Sequence, residues 1–213
     1  MAPDRPRPRP EPPPEPPPEP PPEPPPEPLR GSLPEPGPVI RQLSSRIVYH
    51  NRWMRLREDV IERPDGSRGI YSVVDKPDFA VVIPAEDGGF HLVEQYRYPV
   101  GGRFWEFPQG SFGDNRSGDP RDLARTELAE ETGLRAGRLT HLGHLFCAHG
   151  YSGQGFDVFL AEDLAPGPAH REAEEQDMRQ RWVPRAEFER MIRAGEIKDD
   201  STLAAYTLLV LGR

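Results

Sequence analysis

Glu127, Glu130 and Glu131 occupy positions i, i+3 and i+4 of a short run, DPRDLARTELAEETGL at residues 119–134. In a helix those positions are neighbours on one face, one turn apart. Three like charges gathered there repel one another, and helix propensity gives no reason for the grouping. A hard, oxygen-preferring divalent cation does, and Mg²⁺ is the usual ion where carboxylates share a metal with water and phosphate oxygens. The chemistry to expect of such a cluster is neutralisation of phosphate charge. A solvated acidic helix face is the competing reading of the spacing alone.

The elements that must position these carboxylates can be read around them. Asp119 is a good N-cap, and Pro120 suits the first helical position because it lacks only a donor that is unpaired there anyway. Gly133 can go left-handed just past the end, with Leu134 packing back over the last turn. Upstream, WEFPQG at 105–110 reads as a strand end that breaks at Gly110. Strands are expected at 46–50, 53–62 and 69–74, the last two joined by a turn at Pro64, Asp65 and Gly66. A hairpin follows at 79–83 and 90–97 around Glu86, Asp87, Gly88 and Gly89. The unbroken apolar run at 80–83 predicts a strand covered on both faces. Residues 139–146 and 156–161 are again strand-like. Pro184 is expected to start a helix over 185–194 that Gly195 ends. Ser201 is expected to cap a last helix with Leu203, Ala204, Leu208 and Leu211 on its buried side.

Taken together, the strand end and the helix resemble the signature of the Nudix hydrolase family, in which a glycine leads through a loop into a helix carrying REUxEExGU, U being aliphatic. ELAEETGL at 127–134 matches that pattern from its first glutamate onward. EFPQG is similar to the EFPAG of the ADP-ribose pyrophosphatase branch, and QYRYPVGG at 95–102 resembles the branch's QxRxPxGG. The fold this implies is an α/β/α sandwich with a mixed β-sheet, covering about residues 46–213.

The resemblance also implies a site. Glu127, Glu130 and Glu131, with the Gly110 carbonyl, are the expected ligands of Mg²⁺, with Mn²⁺ as the alternative ion. Arg97 is the first choice to reach the diphosphate, since a guanidinium presents paired donors to phosphate oxygens. Arg103 and Glu106 are further substrate-binding candidates; for Arg97 and Glu106 an ordinary ion pair is the plainer alternative. An acidic loop at 171–178 would supply the base that takes a proton from water, Glu175 being the candidate and Glu174 the close alternative, with Glu131 as the helix glutamate in a catalytic role. HGYSGQG at 149–155 resembles the family's SPGxSxE loop beside the substrate; His149 reads more simply as a loop histidine with a local hydrogen bond. Trp53, Tyr98 and Phe104 are unranked candidates to stack on an adenine.

Three departures stand out. The arginine that precedes the first signature glutamate is Thr126 here, and Arg125 is one residue out of register. The loop at 111–118 is two residues longer than the signature's. Its loop glutamate has no clear counterpart, Asp114 and Asp119 being the acidic candidates.

Composition bounds the rest. Of 29 prolines, 20 lie in residues 1–38, where PPPE repeats with a period of four over 11–28. That stretch has nothing to bury and few backbone donors, so an extended polyproline-II or disordered arm is expected at 1–38, ahead of one globular domain at 39–213. The arm reads as a tolerated low-complexity tail, or as a ligand for a partner domain with an aromatic groove. Net charge is −8, of which Asp4 and six Glu against four Arg in the arm contribute −3, so no basic track for nucleic acid exists. The lone Cys147 fits a reducing compartment, no apolar run approaches the ~20 residues of a membrane span, and the N-terminus lacks the apolar segment of a secretory signal. A cytoplasmic protein is expected.

Function follows as an expectation: metal-dependent hydrolysis of the diphosphate linkage of a nucleoside diphosphate derivative, ADP-ribose or a nucleotide sugar, giving AMP and ribose 5-phosphate from ADP-ribose. A homodimer with exchanged N-terminal strands is implied by the same resemblance. Two other classes compete. One is a sensor that binds ADP-ribose without turning it over, and the other is an adaptor whose proline arm recruits partners.

Overall fold

The structure, a computed structural model, describes residues 39–112, 118–168 and 177–212. The proline arm, Asp114, Glu174 and Glu175 lie outside the described residues.

Three antiparallel strands, β1 (Arg41–His50), β2 (Arg55–Glu62) and β3 (Arg68–Asp75), form a small sheet of their own in the order β1-β2-β3. The larger sheet has seven strands: β4 (Phe79–Glu86), β5 (Gly89–Arg97), β6 (Gly102–Glu106), β7 (Gln109–Ser111), β8 (Leu134–Phe146), β9 (Gly155–Pro166) and β10 (Arg179–Pro184). Its path runs β10-β5-β4-β9-β8, with β6 paired to β5 and β7 to β4. The β4–β9 pair is parallel and the others are antiparallel, so the sheet is mixed as expected.

Alternation along β4 makes the sandwich. Val81 and Ile83 point into one core, shared with Phe90, Phe107, Phe188 and Leu209. Ala80 and Val82 point the other way, toward Leu123, Ala124 and Leu128 of α1 (Pro120–Thr132). All four β4 side chains are fully buried, the reason their run is apolar without alternation. Helices α2 (Arg185–Arg193) and α3 (Asp200–Leu211) cover the first face. Each fully buried Phe or Leu contributes about 1.5–3 kcal/mol. Among the described residues no helix is long and apolar enough to cross a membrane.

The bounds of α1 are those its sequence predicts. Asp119 accepts the Arg121 N–H at 2.8 Å, and Gly133 takes φ 71° while its N–H bonds Ala129 O. Elsewhere the outcome differs. β1 starts at Arg41 and not at 46, and β10 had no sequence counterpart, because RQRWVP carries no alternation and earns its place by pairing with β5. The cap of α3 is Asp199, which accepts the Thr202 N–H at 2.7 Å; Ser201 is already inside the first turn. Its buried face is accordingly Ser201, Thr202, Ala205 and Leu209, with Leu203, Ala204 and Leu208 at the flanks and Leu211 exposed.

Candidate active site

α1 lies against β7, and its acidic face points at backbone. Glu131 is completely buried, Glu127 nearly so, and Glu130 half-buried. Glu131 Oε2 accepts the Gln109 N–H at 3.3 Å. One turn back, the Glu127 carboxylate sits so close to Gly110 that a Cβ there would overlap it. β7 is itself fixed by pairing Gly110 with Ala80 of β4, while Pro108 O accepts the Val82 N–H at 2.9 Å. A strand end lacking a side chain at one position thus lets two carboxylates sink into the protein.

The donors here are hard oxygens, and two of the three expected side chains are sunk against the Gln109 and Gly110 backbone, a set that suits a hard divalent cation. Among the described residues no three His, Cys, Asp or Glu side chains form a ready-made metal cluster.

A cleft of about 550 Å³ opens nearby, lined by Arg97, Pro99, Val100, Phe104, Glu106, Lys198, Asp199 and Asp200. Pairing of β5 with β6 sets Gln95 opposite Phe104 and Arg97 opposite Gly102, so Gln95, Arg97, Phe104 and Glu106 share one face. Glu106 is buried and held by two neighbours. Gln95 Nε2 donates to its Oε1 at 2.9 Å, and Arg97 donates through Nε to Oε2 at 3.2 Å and through Nη2 to Oε1. Burial pushes the Glu106 carboxyl above the ordinary carboxylate range, and the Arg97 guanidinium pulls it only part of the way back.

Arg103 is placed elsewhere. It stands opposite Tyr96, on the other face of the ladder, where it donates to Glu94 Oε2 at 2.9 Å and to the Asp177 carboxylate and carbonyl. The structure therefore brings Arg97 and Glu106 together in the cleft and leaves Arg103 outside it. Of the three aromatic candidates, Phe104 lines the cleft, with the Lys198 ammonium 5.4 Å above its ring; Tyr98 and Trp53 are exposed. Thr126 is exposed, Arg125 donates to Ala136 O at 3.1 Å, and His149 is an exposed loop residue.

Sequence reading missed the α3 end of the site. Lys198, Asp199 and Asp200 line the cleft, and Ser201 and Thr202 bond the strand end at 107–109. The KDDST string advertises a helix start, but nothing in it says which strand, more than ninety residues earlier, it will meet.

A mixed sheet between helices sets helix glutamates against a strand-end glycine, beside a cleft that Arg97 and Glu106 line, and family comparison says what class of protein this is. A NUDIX domain matches residues 75–206, and a nucleoside diphosphate sugar hydrolase N-terminal domain matches residues 40–74, the span of the small sheet. The chain belongs to the Nudix hydrolase family. It is 33% identical over 165 residues to an ADP-ribose pyrophosphatase of Mycobacterium tuberculosis, covering 76% of this chain and 79% of that one. An ADP-ribose pyrophosphatase of Bacillus subtilis is 27% identical over 138 residues, covering 64% of this chain and 74% of its own. A solved ADP compounds hydrolase superposes with a TM-score of 0.71 at 21% identity, over 80% of this chain and 91% of that one, a likeness of fold.

Proposed function

We propose that this Nudix hydrolase cleaves the diphosphate linkage of a nucleoside diphosphate derivative, ADP-ribose first among them, to AMP and ribose 5-phosphate. The observation that carries the reading is the burial of Glu127 and Glu131 against the backbone of Gln109 and Gly110. The two relatives called ADP-ribose pyrophosphatases support the choice of substrate. Glu127, Glu130 and Glu131, with the Gly110 carbonyl, are the residues that would hold Mg²⁺, or Mn²⁺ in its place. Bound there, the ion supplies neutralisation of the diphosphate and of charge developing on it.

The chain's own residues do the rest. Arg97, steadied by Glu106, presents a guanidinium edge to diphosphate oxygens. Phe104 offers a ring to a base or sugar in the same cleft. Glu175, or Glu174, takes the proton from the attacking water, with Glu131 the helix residue in a catalytic role. Phosphoryl chemistry of this kind is mostly positioning and charge stabilisation, so no covalent nucleophile is needed.

Three further assignments belong to the same reading. Ile47, Tyr49, Trp53 and Ile70 of the small sheet and its turn are more than half exposed, an apolar surface that supports a homodimer. The proline repeat within residues 1–38 supports a partner that reads proline-rich segments. The single cysteine supports a cytoplasmic setting.

The test is a panel of ADP-ribose, ADP-glucose, GDP-mannose, NADH and diadenosine polyphosphates with Mg²⁺. Turnover of ADP-ribose ahead of the others supports the reading. A second reading, an ADP-ribose sensor without turnover, draws on Thr126 standing where the signature has arginine. Calorimetric binding of ADP-ribose with no AMP released would establish it in place of the first.

A further inference from the structure

The first turn of α3 is tied to the strand end that carries the site glycine. Thr202 is fully buried, and its Oγ1 accepts the Phe107 N–H at 2.9 Å, across 95 residues of chain. The Ser201 hydroxyl stands 2.6 Å from both Gln109 Oε1 and Asp199 Oδ2, and with one proton it donates to one of them at a time. Asp199 caps the helix and so fixes where both hydroxyls point.

Phe107 and Gln109 bracket the segment that matters. Just before it, Glu106 grips Arg97; within it, the Gln109 N–H meets Glu131, and just after it Gly110 meets Glu127. We infer that Ser201 and Thr202 are positioning residues for the acidic site: they hold the 107–109 segment, and with it Gly110, at the height against α1 at which Glu127 and Glu131 face it in register. The two hydroxyls act through the residues they contact, Thr202 through Phe107 and Ser201 through Gln109. The inference rests on the metal-holding role proposed above for Glu127 and Glu131.

The hydroxyls matter more than bulk because a buried backbone N–H needs an acceptor, and removing it leaves the donor unsatisfied. Thr202→Val keeps the volume and removes the acceptor; Thr202→Ser keeps the acceptor. Two readouts are needed, amide exchange of the metal-free full-length protein by NMR and Mg²⁺ titration of ADP-ribose turnover. In Thr202→Val, the Phe107 and Gln109 amides should exchange about tenfold faster relative to those of β4. The Mg²⁺ concentration for half-maximal rate should rise about threefold or more, and kcat fall about tenfold with KM within about twofold. Thr202→Ser should restore all of these. Ser201→Ala, which removes the other tie, should move them the same way by less, and stands in if Thr202→Val does not fold.

A uniform rise in exchange with kcat and the Mg²⁺ dependence unchanged would overturn the inference, leaving Thr202 a fold residue only. Should wild type turn over no ADP-ribose, the functional reading fails, while the exchange pattern still decides whether the two hydroxyls set the segment.

Discussion

Glu127 lies against Gly110 with no room for even one added carbon between them. The obstacle a Cβ would meet is the end of a flexible side chain, which can swing aside at little cost to the fold. Gly110→Ala should therefore change Tm by no more than a few degrees while kcat falls about 100-fold, because the displaced group is one proposed to hold the metal. Thermal melts and steady-state kinetics on the same preparation check this. A large loss of stability with the remaining folded enzyme fully active would remove Glu127 from the site.

Glu131→Gln keeps the shape of the side chain and its hydrogen bond from the Gln109 N–H, and removes the charge. It should lower kcat on ADP-ribose by at least about 100-fold, a few kcal/mol at the transition state. Equal rates in the two proteins would end the assignment of the helix glutamates to catalysis.

Arg97 and Arg103 separate cleanly as a pair of substitutions, because the ladder puts them on opposite faces. Arg97→Lys should reduce kcat/KM about 10- to 100-fold, since a point charge cannot replace a fork that pairs with Glu106 and is proposed to reach phosphate as well. Arg103→Lys should leave kcat/KM within about threefold, as its donors go to Glu94 and Asp177. Reversal of that order in measured kcat/KM would mean the cleft is not where substrate binds.

Glu106 gives a pH signature. Burial holds its folded pKa above the unfolded value. Below the unfolded value both states keep the proton and there is no effect. As pH rises through the window up to the folded value, the folded state gives up a proton it holds more tightly, so stability falls, and above that value the loss is constant. Glu106→Gln removes this dependence. The difference in unfolding free energy, wild type minus variant, should decline across that window and then flatten in urea titrations at a series of pH values. A difference that rises with pH would show that pairing with Arg97 outweighs burial.

Thr126→Arg puts the signature's guanidinium back on an exposed position of α1. It should raise kcat about three- to tenfold, since position 126 is one helical turn before Glu130 and an arginine there can pair with it. Unchanged kcat in the substituted protein would show that the departure is already compensated.

The acidic face of α1, the helix itself and its two ends were legible in the chain because they are local. A cap, a proline, a C-terminal glycine and an i, i+3, i+4 spacing all act within a few residues of one another. The doubly covered strand at β4 was legible for a similar reason, since burial on both faces leaves an unbroken apolar run. Position along a ladder also reads from sequence once the register is known, but the register is not: the motif favoured Arg97 over Arg103 without placing either, and pairing across β5 and β6 is what sends one into the cleft and the other away. The cap of α3 was misread by two residues because Asp199, Asp200 and Ser201 are all good caps, and the choice falls to which hydroxyls can reach 107–109. What the sequence by itself determined was the chemistry available. What the tertiary structure decided was which of those groups meet, because hydrogen bonds such as Thr202 to Phe107 join residues 95 positions apart and leave no periodic trace in the chain.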